Sequence, residues 1–135
     1  MPNHLGPLPK PTLDDHGFWD ACNNNRLVIQ RCADCRTLRH RPRPMCPHCH
    51  SMRYDWQPVS GRGTLYSFSV VHHPLRESMR DHVPYVIALV ELEEGPRLIS
   101  NLVGTPVENV RIGLPVSVFF DEVAPGVKLP RFRAG

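Results

Sequence analysis

Apolar and polar positions alternate from Gly63 to His72, through Leu65, Tyr66, Ser67, Phe68, Ser69 and Val70. That period of two predicts a half-buried strand. Tyr85 to Leu92 predicts a second strand, Arg97 to Val103 a third, Pro115 to Asp121 a fourth and Val127 to Arg133 a short fifth. The polar stretch 74–82 reads as a loop. Glu93-Glu94-Gly95-Pro96 reads as a turn, and Pro106 to Val110 as a short helical turn before Gly113. Five short strands with little helix between them indicate a mainly β protein built on a small barrel. A five-stranded OB-fold barrel fits the strand count and lengths best, with an SH3-like barrel or a small sandwich as alternatives.

Upstream the pattern changes. Residues 1–13 are proline-rich and aperiodic. Asp14 or Asp15 can cap a short N-terminal helix whose apolar face carries Phe18, Trp19 and Cys22. So short a helix is marginal alone and must dock on something. Leu27 to Arg31 is β-prone and leads into the first of two cysteine pairs. The expected organisation is a proline-rich segment and helix over 1–25, a metal ribbon over 26–56 and the barrel over 57–135.

The cysteine pairs are Cys32-Ala33-Asp34-Cys35 and Cys46-Pro47-His48-Cys49. A two-residue gap lets both sulfurs of a pair turn toward one point, and two such knuckles complete a tetrahedron. Few apolar residues lie between them, so a metal must replace the missing core. Cys32, Cys35, Cys46 and Cys49 are therefore assigned to one structural metal ion. Zinc is preferred because a closed four-thiolate site suits it without any redox role; mononuclear iron is the alternative. His40, His48 and His50 lie close by and read as surface histidines. Cys22 stands apart and reads as a buried helix residue.

Charge adds one feature. Seven arginines against one acid, Asp34, fall between Arg26 and Arg53, although the chain as a whole carries only +3. That local excess suits an anionic partner, a nucleotide-type phosphate or a nucleic acid, and equally a solvated basic face or arginines paired with acids elsewhere. No apolar run approaches the roughly 20 residues of a membrane span. The first residues have neither a charged start nor an apolar block, so a cytoplasmic location is expected. His72 and His73, at the end of the first barrel strand, are the candidate titratable pair. No nucleophile is patterned with them, and an enzyme acting alone is not expected.

The order of these motifs is itself distinctive. A Phe18-Trp19 helix precedes Gln30-Arg31-Cys32, two knuckles and Gly61-x-Gly63-x-Leu65-Tyr66-Ser67-Phe68. Pro84 to Leu92, Arg97 to Asn101, Ile112-Gly113-x-Pro115-Val116 and Leu129-Pro130-Arg131-Phe132 then follow. Over residues 17–133 the chain resembles the family that joins a rubredoxin-like zinc ribbon to a C-terminal OB-fold and associates with thiolase-type enzymes. In one respect it departs from that pattern. Arg36 and His50 occupy the positions after each second cysteine, where glycine often permits a positive φ.

The resemblance implies a non-catalytic partner subunit in a hetero-oligomer. It would bind or channel an acyl-CoA for a thiolase, a lipid-transfer-protein-like aldolase or a related enzyme, in lipid, steroid side-chain or aromatic acyl-CoA metabolism. Arg31, Arg36, Arg39, Arg41 and Arg43 would face the phosphates of coenzyme A, since a guanidinium fork suits phosphate. Phe18 and Trp19 would be apolar anchors on the partner. The rival reading is a single-stranded nucleic-acid-binding zinc-ribbon/OB-fold protein. Against it stand the modest net charge and the lack of a basic, aromatic platform on the barrel: Tyr66 and Phe68 alternate onto one face, but Phe68 belongs to the core.

Overall fold

A computed structural model describes residues 8–74 and 76–135. Helix α1 spans His16–Asn23, and a small sheet follows from β1 (Val28–Cys32), β2 (Leu38–Arg39) and β3 (Tyr54–Pro58), in the order β2-β1-β3. The remaining strands are β4 (Arg62–Val71), β5 (Tyr85–Leu92), β6 (Arg97–Leu102), β7 (Pro115–Ala124) and β8 (Val127–Ala134). They close in the order β4-β5-β6-β8-β7, with β4 returning to β7. Only the β6–β8 pair is parallel. That connectivity is the OB-fold, as the strand pattern led us to expect.

Strands β2 and β3 were not expected from sequence, and two expected stretches take another form. The expected loop at 74–82 contains a 3-10 helix over Glu77–His82, and β7 continues three residues past Asp121 around a bulge between Glu122 and Ala124. The expected turn after Pro106 is a short 3-10 helix, Val107–Asn109. Asp15 occupies the N-cap of α1, yet its carboxylate caps nothing there. It turns back to accept from the Thr12 N–H and hydroxyl, at 2.6 and 3.0 Å.

Alternation also fails once inside β4. A bulge between Leu65 and Ser67 inserts Tyr66 as an extra residue. Leu65 is fully buried and Phe68 packs on the same core, while Tyr66 lies 44% exposed. Tyr66 and Phe68 therefore do not share a face, because a bulged residue shifts the period of two by one position.

One hydrophobic core serves ribbon, helix and barrel together. Phe18, Cys22, Leu27 and Ile29 join Leu65, Val90, Leu92, Leu102, Val116 and Phe132 in a single buried cluster. The junction is bound by polar contacts as well: Val59 N–H to the Leu27 carbonyl at 3.1 Å, and Lys128 N–H to Asn23 Oδ1 at 2.9 Å. Gly17 lets α1 approach Trp56, since a Cβ there would clash with the Nε1 and Cε2 edge of the indole. Gly63 likewise allows β4 to approach the Glu91 carbonyl of β5. Among the described residues no helix is long and apolar enough to cross a membrane.

Candidate metal centre and adjoining cleft

The two cysteine knuckles repeat one another bond for bond. In the first, Cys32 N–H donates to the Thr37 carbonyl at 2.9 Å and Arg36 N–H to the Cys32 carbonyl at 3.0 Å. In the second, Cys46 N–H donates to the Ser51 carbonyl and His50 N–H to the Cys46 carbonyl, both at 2.9 Å. The residue after each second cysteine is left-handed, with φ 64° at Arg36 and 65° at His50. The glycine departure therefore leaves the knuckle intact; each bulky residue takes the conformation that glycine would have made cheaper.

All four sulfurs lie within 4.8 Å of one another. Cys32 Sγ and Cys49 Sγ are 3.5 Å apart, and Cys35 Sγ and Cys46 Sγ 3.6 Å apart. A tetrahedron of sulfurs about 2.3 Å from zinc has edges of about 3.8 Å, so the cage fits the ion. Its proton chemistry fits too. The Cys35 backbone N–H holds the Cys32 thiol down to about 6. Cys49 is pulled down by the Ser51 N–H, yet the crowded sulfurs of Cys32, Cys35 and Cys46 push it up to about 12. Four thiolates held this close repel one another unless a cation sits among them. Cys22 lies outside the set, fully buried, with burial pushing its thiol up to about 12.

Around this centre the ribbon arginines have separate fates. Arg31 forks onto both Asp55 oxygens at 2.8 and 3.0 Å and reaches Gln57 Oε1 at 2.6 Å. Arg53 pairs with Asp34, which also accepts from Ser51. Arg39 is only 7% exposed; its Nη2 donates to the Arg43 carbonyl at 2.9 Å and its guanidinium faces the Tyr54 ring. Arg36, Arg41 and Arg43 are exposed.

A cleft of about 780 Å³ opens where three parts of the chain meet. Its floor is the outer side of the barrel at Leu89, Ile99, Asn101, Leu129 and Arg131. Asp15, Phe18 and Trp19 and the loop His40 to Arg43 complete the lining. Phe18 is 4% exposed and spends its ring on Trp19 and His40, with centroids 5.0 and 5.3 Å away. Trp19 is half-buried beside it. His40 is held neutral: burial, reinforced by Arg41, lowers its pKa to about 4. The cleft's hydroxyls are already committed, Ser100 donating to the Pro130 carbonyl at 2.7 Å and Thr12 to Asp15.

His72 and His73 lie apart from both features, exposed beyond the end of β4. The acids Glu91, Glu93 and Glu94, at the end of β5 and in the turn after it, each have a partner. Glu93 pairs with Arg62 at 3.0 Å, Glu91 with Arg97 at 2.9 Å, and Glu94 accepts from the Ser60 N–H. Composition alone could not reveal the cleft, because its lining is drawn from residues 12 to 131. Arg97 and Arg131 were missed for that reason.

A four-thiolate ribbon fused to a closed OB barrel defines a class of zinc-ribbon/OB-fold proteins. Family models match both parts: the ChsH2 rubredoxin-like zinc ribbon domain over residues 19–54, and the ChsH2 C-terminal OB-fold domain over residues 56–121. The chain belongs to this ChsH2-type DUF35 family.

A probable enoyl-CoA hydratase alpha subunit of Thermomonospora curvata is 48% identical over 93% of the chain. A 3-oxo-4,17-pregnadiene-20-carboxyl-CoA hydratase alpha subunit of Mycobacterium tuberculosis is 43% identical over 86%. The chain spans only 39% and 38% of those two proteins. A DUF35 domain-containing scaffold protein of Methanocaldococcus jannaschii is 36% identical, over 72% of this chain and 69% of its own. Among solved structures, a chain of an Ltp2-ChsH2(DUF35) aldolase superposes with a TM-score of 0.87 at 46% identity, covering 93% of this chain and 98% of that one.

Proposed function

We propose that this chain is a non-catalytic partner subunit of a thiolase-like or aldolase-like enzyme, and that its cleft receives part of an acyl-CoA substrate. The observation that carries the reading is the near full-length likeness to a chain of the Ltp2-ChsH2(DUF35) aldolase. The cleft supports it chemically. Apolar Trp19, Ile99 and Leu129 suit an acyl or pantetheine segment, and Arg41 and Arg43 on its wall suit phosphates. The hydroxyls of Ser100 and Thr12 are both committed to internal hydrogen bonds, which favours binding over independent chemistry.

Arg31 contributes less to such a site directly, being paired with Asp55, and Arg39 lies buried beneath the loop instead of lining this cleft. Phe18 acts by shaping the cleft wall, leaving Trp19 as the aromatic a partner or ligand can touch. The nucleic-acid alternative is weaker, because the aromatic exposed on the outer barrel face, Tyr66, is covered by Arg97 at 3.7 Å from its ring centroid.

Co-expression with a thiolase-like or aldolase-like subunit from the same genome tests the proposal. A stable stoichiometric complex that turns over acyl-CoA only when both chains are present is the expected result. Full activity of the partner alone, together with salt-sensitive binding of this chain to single-stranded nucleic acid, would overturn it.

A further inference from the structure

A second cavity, of about 300 Å³, lies along the ribbon loop beside the large cleft. It is lined by Leu38, Arg39, His40, Arg41, Arg43, Pro47 and Pro96, so three arginines border it and no acid does. None of the three has a carboxylate within ion-pair distance among the described residues.

Arg39 is the unusual member. It is more than nine-tenths buried, and its Nε and Nη1 find no acceptor. Opposite it across the β1–β2 pair is Gln30, fully buried. Both side chains hold the backbone of Arg43: Gln30 Oε1 accepts its N–H at 2.8 Å, and Arg39 Nη2 donates to its carbonyl at 2.9 Å. Gln30 Nε2 is a further buried donor without a partner. A buried guanidinium costs stability unless it is paired, and unused buried donors add to that cost. Here the donors are fixed around one loop and the acceptors are missing.

We infer that this cavity is a seat for a multiply charged oxyanion, a phosphate group held by Arg39, Arg41 and Arg43. The anion would supply acceptors for Arg39 Nε and Nη1, which have none, while Nη2 keeps the Arg43 carbonyl. Charge-assisted bonds from a guanidinium fork are the strong form of this contact. The seat deepens the proposed acyl-CoA reading by placing a phosphate on the far side of the loop from the apolar cleft. It rests on that reading only for the source of the phosphate, which is either the nucleotide end of coenzyme A or free phosphate.

The test titrates the zinc-loaded, ¹⁵N-labelled full chain with inorganic pyrophosphate and reads the arginine Nε–H resonances. A saturable shift at Arg39 is expected, beyond any change given by chloride at equal ionic strength. Arg41→Ser and Arg43→Ser are exposed substitutions that keep the zinc and the fold. Each should weaken pyrophosphate about tenfold, or about 1.4 kcal/mol. Shifts that rise linearly without saturating, or that remain unchanged when Arg41→Ser and Arg43→Ser are combined, overturn the seat. Displacement of pyrophosphate by coenzyme A identifies the nucleotide as the source, and saturation that coenzyme A cannot displace identifies free phosphate; both support the seat. Complex formation with a thiolase-like subunit is scored separately, so either proposal can fail alone.

Discussion

Removing one metal ligand should melt the ribbon and leave the barrel standing. In Cys46→Ala the second knuckle loses a sulfur that is fully buried and 3.6 Å from Cys35. Between residues 33 and 53 the buried positions are Arg39 and Cys46, so almost no apolar contact holds this stretch. Structural zinc in finger peptides contributes on the order of 10–16 kcal/mol at neutral pH, as much as the whole stability of many domains. No other local interaction here approaches that. Strand β1 is different, because Val28 and Ile29 are buried and it pairs with β3 along five positions. The loss should stop there. In ¹H–¹⁵N spectra, resonances of residues 33–53 should collapse to random-coil positions while those of β4 to β8 keep their dispersion, and zinc content should fall to near zero. Cys22→Ala is the control: it removes a buried thiol at a cost on the order of 1 kcal/mol but keeps the zinc. A metal-free Cys46→Ala protein with native ribbon resonances would refute the reasoning.

Three further outcomes follow from the same contacts. Helix propensity favours Gly17→Ala by about 1 kcal/mol, but the new Cβ would clash with the Trp56 ring, and overpacking of about 1–3 kcal/mol should win; urea melts that show stabilisation would contradict the close approach. Phe132→Ala empties a fully buried position at the barrel centre and should cost about 3–5 kcal/mol by the same assay. His40 has its folded pKa lowered to about 4 from 6.5, so its stabilising effect is complete above pH 6.5 and is lost as pH falls toward 4. Between pH 7.5 and 5.5 that loss is about 1.3 kcal/mol, and the pH slope should be absent in His40→Gln; equal slopes in both proteins would show that His40 is not desolvated.

The parts that were legible in sequence are those with short-range signatures. Two Cys-x-x-Cys pairs define their own geometry, and alternation along β5 survives intact, with Val86, Ala88, Val90 and Leu92 all inward. What escaped depends on distant partners. Arg31 looked available for phosphate, but Asp55, 24 residues on, sits opposite it on β3 and takes its fork. Arg39 looked like its neighbours, yet β1–β2 pairing turns it beneath the loop beside Gln30. The Tyr66 bulge was hidden because one inserted residue leaves composition unchanged while reversing which side chain faces out. Nothing local marks Ile99, Leu129 and Arg131 as one surface; β6 and β8 meet only when the barrel closes.

These differences change what the metal contributes to function. The sulfurs are absent from the lining of the large cleft, so zinc acts there only through the backbone it fixes. The loop from His40 to Arg43 runs between the two knuckles, and it forms a wall of both the large cleft and the small cavity. Its inner hold is slight: two hydrogen bonds to the Arg43 backbone and the His40 ring against Phe18. Without zinc, those contacts must order a chain segment whose ends are no longer fixed, against a backbone cost of about 1–2 kcal/mol per residue. They cannot. If the proposed sites bind their ligands, the structural ion governs that binding at a distance: the barrel floor of the cleft should persist without zinc, whereas the arginine wall should not. Metal content and anion binding should fall together across any series of cysteine variants, even though no ligand touches the metal.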